Sequence, residues 1–303
     1  MKAVVTGGNG FIGSHLVDRL IDMGWSVDVI DDLSAECNDE FFFNEKASNH
    51  QVSICNFEEI SKIFEGTDFV FHLAAESRIQ PAILNPTYAA HVNVVGTCNV
   101  LQAARACNVK KVIYSSTSAG YGLKNEPPLK EDMPKDCLNP YSVTKCAAED
   151  LCTMYTDLFG LNTVTFRYFN VYGERSPTKG QYAPVIGLFL RQLEAGESMT
   201  IVEDGQQRRD FTHVFDVVEA NILAAISDNP EINGEIFNVG TGINHSIVEV
   251  AEMFSTDYVF IPSRPGEART TQADITKIKT MLGWQPKVRL EDWMANAKAG
   301  LSL

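Results

Sequence analysis

The sequence predicts an α/β fold with a doubly wound parallel sheet, and two observations lead to that prediction. Short runs rich in β-branched and aromatic residues alternate with patterns typical of amphipathic helices. A glycine-rich turn follows the first of these runs and opens the first helix. Because neighbouring parallel strands need a crossover helix between them, this alternation favours a sheet that is covered by helices on both faces.

The predicted elements follow in order along the chain. An amphipathic helix begins near Phe11 and ends at Gly24, and a second long helix runs from Tyr141 to about Phe159. The predicted strands cover residues 2–6, 27–30, 51–54, 69–73, 111–115 and 163–168. This order is typical of a Rossmann-type sheet. We assign residues 1–177 plus 213–238 to that larger domain. Residues 178–212 plus 239–303, which have shorter elements, form a smaller interleaved C-terminal lobe that would bind the substrate.

Composition excludes several classes of function. With 39 Asp and Glu against 25 Lys and Arg, the formal net charge of -14 disfavours nucleic acids and anionic membranes as partners. No apolar run approaches the roughly 20 residues that span a bilayer, and the N-terminus lacks a signal-peptide pattern. We therefore expect a soluble, cytoplasmic protein. The seven cysteines include no Cys-x-x-Cys pair, so we expect reduced thiols and no metal site.

The glycine-rich turn predicts a dinucleotide site. Gly7, Gly10 and Gly13 lie between a strand and a helix, where backbone N–H groups and the positive helix end can approach a pyrophosphate. Asp31 ends the second strand, and its carboxylate can accept both hydroxyls of a ribose. Asp32 follows it, with no Arg or Lys nearby to pair with a 2'-phosphate, which favours NAD over NADP. The alternative is a flexible turn followed by a solvated Asp.

A Tyr and a Lys one helical turn apart predict a catalytic centre. Tyr141 and Lys145 follow Pro140, which suits a helix start, and a run of hydroxyl residues around Thr117 ends the fifth strand. A phenol has a pKa of about 10, but a nearby cation such as Lys145 lowers it. Tyr141 can then take a hydroxyl proton while Thr117 bonds the developing carbonyl oxygen. The alternative is an exposed Tyr and a surface Lys.

Taken together, these motifs resemble the extended short-chain dehydrogenase/reductases, and the resemblance covers essentially the whole chain. The matching segments are Gly7/Gly10/Gly13, His72-Leu73-Ala74-Ala75, Asn93-Val94-Val95-Gly96-Thr97, Ser115-Ser116-Thr117-Ser118-Ala119-Gly120-Tyr121-Gly122, Tyr141/Lys145 and Arg167-Tyr168-Phe169-Asn170-Val171-Tyr172-Gly173. The resemblance implies that the His72 segment lines the NAD cleft near the nicotinamide ribose. The alternative there is a buried strand end with a hydrogen-bonded His.

The resemblance also implies which residues bind NAD. Ser53 and Ile54 stand where the family usually has Asp and an aliphatic residue against adenine, and Ser departs from that pattern. The full predicted set is Gly7, Gly10, Phe11, Ile12, Gly13, Asp31, Asp32, Ser53, Ile54, Leu73, Ala74, Ala75, Asn93, Ser115, Tyr141, Lys145 and Tyr168. Thr117, Tyr141 and Lys145 are the predicted catalytic residues.

On the substrate side, several residues resemble the family's contacts to a nucleotide diphosphate. Guanidinium groups suit phosphate oxygens, and an acid suits the nucleotide ribose. Surface salt bridges are the alternative for the arginines and the acid. The predicted substrate-binding residues are Arg78, Thr117, Tyr141, Asn170, Arg209, Arg264 and Glu267. Arg78 follows the His72 segment and is expected to face the sugar.

Related enzymes differ in reaction, and the residues after Thr117 discriminate between them. Dehydratases similar to this chain carry Asp and Glu there, and decarboxylases keep the Glu, whereas this chain has Ser118 and Ala119. Epimerisation needs neither acid, so C4 inversion of a UDP-hexose is the leading interpretation. Thr271 stands where glucose/galactose epimerases often have Tyr, which would leave room for an N-acetyl group. Dehydratases, reductases, epimerases of CDP-sugars or uronic acids and a non-catalytic NAD- or nucleotide-sugar-binding regulator remain alternatives.

Finally, the resemblance implies a homodimer. The helices around residues 86–107 and 141–159 would pair with their counterparts, and both have apolar stripes. The alternative is that a monomer packs these stripes against its own sheet.

Overall fold

The computed structural model describes residues 1–35, 38, 40–178, 183–262 and 268–300. Its strands are β1 (Lys2–Thr6), β2 (Ser26–Ile30), β3 (Ser48–His50), β4 (Phe69–His72), β5 (Lys111–Thr117), β6 (Thr163–Tyr168), β7 (Val171–Tyr172), β8 (Met199–Val202), β9 (Arg208–Asp210), β10 (Thr212–His213), β11 (Ile236–Val239), β12 (Asn244–Ser246) and β13 (Tyr258–Ile261). Its α-helices are α1 (Phe11–Asp22), α2 (Phe57–Ile63), α3 (Ile79–Leu84), α4 (Pro86–Ala90), α5 (Thr97–Ala106), α6 (Pro140–Phe159), α7 (Val185–Glu194), α8 (Val214–Ile226), α9 (Ile247–Phe254), α10 (Thr276–Leu282) and α11 (Leu290–Gly300). A π-helix (His91–Gly96) joins α4 to α5.

Seven of the strands form one parallel sheet in the order β3-β2-β1-β4-β5-β6-β11. The chain moves outward from β1 to β3 and then returns to the other side of β1, so the strand order reverses between β1 and β4. This arrangement confirms the predicted Rossmann-type α/β fold. Ligands of such sheets bind at this reversal, beyond the carboxyl ends of the strands.

The third strand lies elsewhere than predicted. Residues 51–54 were expected to form it, but the observed strand is Ser48–His50, which pairs in parallel with Asp28–Ile30. Polar residues are tolerated here because β3 is an edge strand, and the His50 ring lies 2.7 Å from an oxygen of Asp28. Val52 and Ile54, whose apolar character suggested the strand, instead line a cavity.

Three apolar clusters form the core. One lies on the face of the sheet covered by α1 and α8, and a second on the face covered by α2, α5 and α6. A third joins α7, α9 and α11 in the smaller lobe. The predicted division into two domains stays a prediction. Residues 273–284, which it assigned to the smaller lobe, include Ile278 and Trp284, and both belong to the first cluster with the sheet.

In the described parts of the chain, no helix combines the length and the apolar character needed to cross a bilayer. The same residues contain no cluster of three or more metal-binding side chains, and their cysteines are unpaired thiols.

Candidate active site

A cavity of about 1250 Å³ opens where the strand order reverses, between the sheet and the smaller lobe. Most of the predicted site residues line it. They are Gly7, Gly10, Phe11, Ile12, Gly13, Asp31, Asp32, Ile54, Leu73, Ala74, Ala75, Arg78, Ser115, Thr117, Tyr141, Lys145, Tyr168, Asn170, Arg209 and Thr271. Ser53 and Asn93 are not part of the lining. Arg264 and Glu267 lie outside the described residues.

The glycine-rich turn leaves room for a phosphate group at one end of the cavity. A Cβ atom on Gly13 would lie 2.1 Å from the Gly7 carbonyl oxygen, so any side chain there would break the turn. Gly7 has a φ of +69°, a conformation that favours glycine. Helix α1 begins here with no side-chain cap and no acidic residue in its first turn. Its N–H groups and positive end are therefore suited to a pyrophosphate.

Asp31 is fixed at the edge of the cavity by main-chain hydrogen bonds. Its carboxylate accepts the N–H groups of Asn9 and Leu33, both at 3.0 Å. Burial raises the pKa of Asp31 above its ordinary value, while these two bonds counteract the rise. The carboxylate lines the cavity beside the glycine turn, where a ribose attached to that pyrophosphate would lie. This geometry fits the adenosine half of NAD.

Replacing Asp31 by Ala should weaken NAD binding about 10- to 100-fold, because the variant loses charged hydrogen bonds to the ribose hydroxyls. Titration calorimetry on protein stripped of its cofactor measures the change. Asp22→Ala, at the exposed end of α1, is the matched control and should bind NAD normally. Equal affinity of both variants for NAD would remove Asp31 from the site, and the thermal stability of both shows whether the turn remains folded.

Helix α6 carries Tyr141 and Lys145 into the middle of the cavity. Its start is fixed by a capping box, in which the Asn139 side chain accepts the N–H of Ser142 at 2.9 Å. Tyr141 is hydrogen-bonded to Thr117, which ends β5. The Thr117 hydroxyl also accepts the N–H of Ala119 at 3.1 Å. The predicted catalytic residues therefore meet around one phenol group.

The electrostatics of this centre differ from the sequence prediction. Burial raises the pKa of Tyr141, and its hydrogen bond to Thr117 and the charge of Arg78 are the largest opposing influences. Burial also lowers the pKa of Lys145 to about 7, and its ammonium group lies 4.4 Å from the centre of the Tyr114 ring. Lys145 is therefore only partly charged near neutral pH. The pKa of Tyr141 thus stays above its ordinary value, and the groups that oppose the rise most are Thr117 and Arg78, not the predicted Lys145.

Asn93 has a positioning role that its predicted place among the cofactor contacts did not anticipate. It lies in the π-helix, an irregularity frequent at functional sites, and is 1% exposed. Its amide accepts the N–H of Glu76 at 2.8 Å and donates to the Glu76 carbonyl at 3.0 Å and to the Thr144 hydroxyl at 3.0 Å. Asn93 thus ties the loop after β4 to the helix of Tyr141, and it is not part of the cavity lining, so its contact with the cofactor stays a prediction.

His72 is a buried, neutral histidine at the end of β4, whereas the following residues line the cavity. Thr97 donates its hydroxyl proton to the Asn93 carbonyl at 2.6 Å, so it accepts from Nε2 of His72 at 2.9 Å. Nδ1 therefore accepts the Thr6 hydroxyl proton at 2.7 Å. The structure favours the alternative of a hydrogen-bonded strand end for His72 itself. Leu73, Ala74 and Ala75 lie in the lining as predicted.

This histidine should make the fold sensitive to acid. Burial lowers the pKa of His72 from 6.5 to about 3. Between these values the unfolded chain binds a proton that the folded chain does not, so stability is complete above pH 6.5 and is lost as the pH falls toward 3. Urea unfolding measures the free energy of unfolding at pH 7.5 and at pH 5. Between these two values the wild type should lose about 2 kcal/mol more of it than His72→Gln does. The exposed His91→Gln should behave as the wild type, and identical losses in all three would contradict this assignment.

Ser115 and Tyr168 come from neighbouring strands and meet at the cavity wall. Their hydroxyl oxygens lie 3.0 Å apart, and Asn221 of α8 donates to the Tyr168 oxygen at 2.8 Å. Behind them lies a buried ion pair that the sequence analysis did not identify. Arg167 donates to both carboxylate oxygens of Glu149, at 2.9 and 2.8 Å. Glu149 stands one helical turn after Lys145, which points to that lysine as its partner, whereas the observed partner Arg167 lies on β6.

The far end of the cavity carries the predicted substrate residues. Asn170 has a positive φ of 27° and donates its amide to the Asp210 carbonyl at 3.0 Å. Its side chain also lies 3.5 Å from the hydroxyl of Thr271, which is 8% exposed. Arg209 donates to the carbonyls of Arg208 and Arg269, at 3.1 and 3.2 Å. These contacts hold a guanidinium group at the cavity wall, where it suits a phosphate.

A Rossmann-type sheet with this glycine turn and a Thr–Tyr–Lys centre defines a dinucleotide-dependent protein of the extended short-chain dehydrogenase/reductase type. Comparison with known proteins agrees, because the sequence profile of the NAD dependent epimerase/dehydratase family matches residues 3–240. A UDP-glucose 4-epimerase of Mycolicibacterium smegmatis is 36% identical, over 97% of this chain and 96% of that protein. The chain therefore belongs to the NAD dependent epimerase/dehydratase family, and its cofactor is NAD.

Two solved structures are similar over almost their whole length. The UDP-glucose 4-epimerase of Thermotoga maritima, determined with UDP-glucose, has a TM-score of 0.93 and 34% identity and covers 99% of this chain and 98% of its own. The UDP-N-acetylglucosamine 4-epimerase of Methanobrevibacter ruminantium, in complex with UDP-N-acetylmuramic acid, has a TM-score of 0.91 and 33% identity, with coverage of 98% and 97%.

Proposed function

We propose that this protein is an NAD-dependent nucleotide-sugar epimerase that inverts C4 of a UDP-hexose or UDP-N-acetylhexosamine through a transient 4-keto sugar. The observation that carries the proposal is the meeting of Thr117, Tyr141 and Lys145 beside Ser118 and Ala119. The first three residues suffice for removing and returning a proton. The last two offer no acid or base at the positions that eliminate water in related dehydratases. The similarity to two kinds of UDP-sugar 4-epimerase supports this choice.

The residues of the chain divide the work between them. The glycine turn and Asp31 would hold NAD, which supplies the acceptor and donor of hydride when bound. Tyr141 takes the proton of the C4 hydroxyl, and Thr117 donates a hydrogen bond to the oxygen as it becomes a carbonyl. After the keto-sugar turns over in the cavity, the hydride would return to the opposite face of C4, and Tyr141 returns the proton to the C4 oxygen. Arg209 and Asn170 would retain the nucleotide during this rotation.

Proton NMR of the sugar H1 and H4 signals tests the proposal. The purified protein is incubated separately with UDP-glucose, UDP-N-acetylglucosamine and UDP-glucuronate, first without added cofactor and then with NAD. Galacto-configured signals that approach equilibrium are expected without net cofactor consumption. No conversion of any of the three sugars after NAD is added would refute the UDP-sugar assignment.

Thr271 should decide between plain and N-acetylated sugars. Its small side chain lines the cavity, so Thr271→Tyr should lower kcat/KM for UDP-N-acetylglucosamine at least about tenfold more than for UDP-glucose, because the ring fills the space that the N-acetyl group needs. Coupled assays of both sugars measure the ratio. Thr280→Tyr, exposed on α10, should leave the ratio unchanged. A uniform effect of Thr271→Tyr on both sugars would show that the residue does not select between them.

We also propose the homodimer that the family resemblance implies. Val95, Val143 and Leu158 are 46%, 52% and 68% exposed on the π-helix and α6, so this surface is available to a second copy. Light scattering coupled to size-exclusion chromatography measures the mass, and a mass of one chain would contradict the proposal.

A further inference from the structure

The ring of Tyr114 faces the ammonium group of Lys145 from inside the protein. The ammonium nitrogen lies 4.4 Å from the centre of the ring, which is within the range of a cation–π interaction. The Tyr114 hydroxyl also donates to the Lys145 carbonyl at 3.5 Å, so one residue contacts both the side chain and the main chain of the lysine. Lys145 lines the cavity, whereas Tyr114 is 0% exposed and lies behind it.

The place of this ring is fixed by the strands around it. Tyr114 belongs to β5, in the interior of the sheet, where it is paired with His72 of β4 and Thr165 of β6. The rings of Tyr114 and His72 also pack together, with their centres 5.5 Å apart. A lysine ammonium group, by contrast, sits on a flexible four-carbon chain. The ring can therefore determine where the ammonium group of Lys145 lies.

The titratable groups near this ammonium group are already paired or uncharged. Glu149, one turn further along α6, forms its ion pair with Arg167 at 2.8 Å. Burial keeps the remaining groups neutral, because it raises the pKa of a thiol or a phenol and lowers that of an imidazole. These groups are Cys146, Cys152 and Tyr141 on α6 and His72 on β4. Since a buried cation is costly without a partner, the electron-rich ring is the group that compensates Lys145 among the described residues.

We propose that Tyr114 is a positioning residue whose ring holds the Lys145 ammonium group in its charged form at the cavity wall, one helical turn from Tyr141. This inference deepens the proposed function, since a charged Lys145 attracts the negative charge that develops on Tyr141 when the phenol loses its proton. Burial lowers the pKa of Lys145 to about 7, so only part of the molecules carry this charge near neutral pH. The ring attracts the cation and not the neutral amine, and it therefore increases that part.

Lysine titration by NMR tests the placement without any turnover. The Cε signals of carbon-13-labelled protein are followed with pH at saturating NAD, and Lys145→Met identifies the signal of Lys145. Tyr114→Leu and Tyr114→Met, which remove the ring, should lower the pKa of Lys145 by about one pH unit, whereas Tyr114→Phe should restore the wild-type titration. Phe71→Leu, which removes a 0% exposed ring on the opposite face of the sheet, is the matched control for packing. An unchanged pKa of Lys145 in both ring-less variants would overturn the proposal.

The pH dependence of the reaction provides the second readout. Above its pKa, a lysine whose pKa is lower by about one pH unit is charged in about tenfold fewer molecules, whereas well below its pKa it is charged in nearly all. The kcat of Tyr114→Leu should therefore be about tenfold below the wild type at pH 8.5 and within about twofold of it at pH 5.5. An equal loss at both pH values would assign Tyr114 to packing alone and overturn the proposal. If no UDP-sugar were converted, the proposed function would fail, while the lysine titration would still decide this inference.

Discussion

Replacing Tyr141 by Phe should lower kcat for epimerisation about 1000-fold, because the phenol is the group that removes and returns the C4 hydroxyl proton. The ring keeps its place on α6 and only the hydroxyl is lost. NAD binding should therefore be retained. The NMR assay gives the rate, and the absorbance of the bound cofactor after denaturation gives the NAD content.

A matched control separates this effect from a general loss of structure. Tyr258→Phe removes a hydroxyl from the smaller lobe, where it donates to Glu252 at 3.4 Å, and should keep wild-type kcat. If Tyr141→Phe retained even a tenth of the wild-type rate, another group would have to transfer the proton. If Tyr141→Phe lost its epimerase activity but kept the full biological effect of the protein, the non-catalytic regulator would be favoured instead.

Replacing Glu149 by Gln should lower the free energy of unfolding by about 3–5 kcal/mol, because Arg167 would remain buried without its counter-charge. The two side chains are 0% and 3% exposed. Ser116 also donates its hydroxyl to Glu149, at 2.6 Å, so the carboxylate joins β5, β6 and α6 behind the catalytic centre. Urea unfolding, followed by far-UV circular dichroism, measures the change.

An exposed ion pair supplies the control. Arg19 and Glu219 lie 3.1 Å apart with side chains that are 49% and 36% exposed. Glu219→Gln should therefore lower the free energy of unfolding by less than about 1 kcal/mol. The double variant Glu149→Gln/Arg167→Met, which removes both charges, should regain part of the stability lost in Glu149→Gln. Similar losses in Glu149→Gln and Glu219→Gln would show that burial does not strengthen the first pair.

The dinucleotide end of the site could be predicted because its requirements are local in sequence. Gly13 is required by a contact with Gly7, six residues away, and Asp31 is fixed by the turn that follows its own strand. The prediction of a strand at 51–54 was wrong, because apolar residues are as suitable for lining a cavity as for packing in a sheet. The polar sequence of Ser48–His50 does not indicate a strand, because an edge strand does not need apolar side chains. The edge strand β11 at the other side of the sheet was not predicted separately.

The catalytic end shows the same contrast between contacts that are local in sequence and contacts between segments that are far apart in sequence. Thr117, Tyr141 and Lys145 were recognisable from their spacing and their places at a strand end and a helix start. The charges around them were not, since the pKa of Lys145 depends on how deeply α6 packs against Tyr114. Asn93 was assigned to the cofactor, but the π-helix turns its amide toward Glu76 and Thr144.

By itself, the sequence determined the fold class, the family motifs, the glycine turn and the identity of the catalytic side chains, because each depends on backbone geometry within one or two neighbouring elements. Only the tertiary structure decided that His72 is neutral, that Glu149 pairs with Arg167 and that Asn93 binds Glu76 and Thr144. Each of these properties depends on which side chains from distant parts of the chain are buried together. Burial and the available partners then set the charge and the hydrogen bonds of each group.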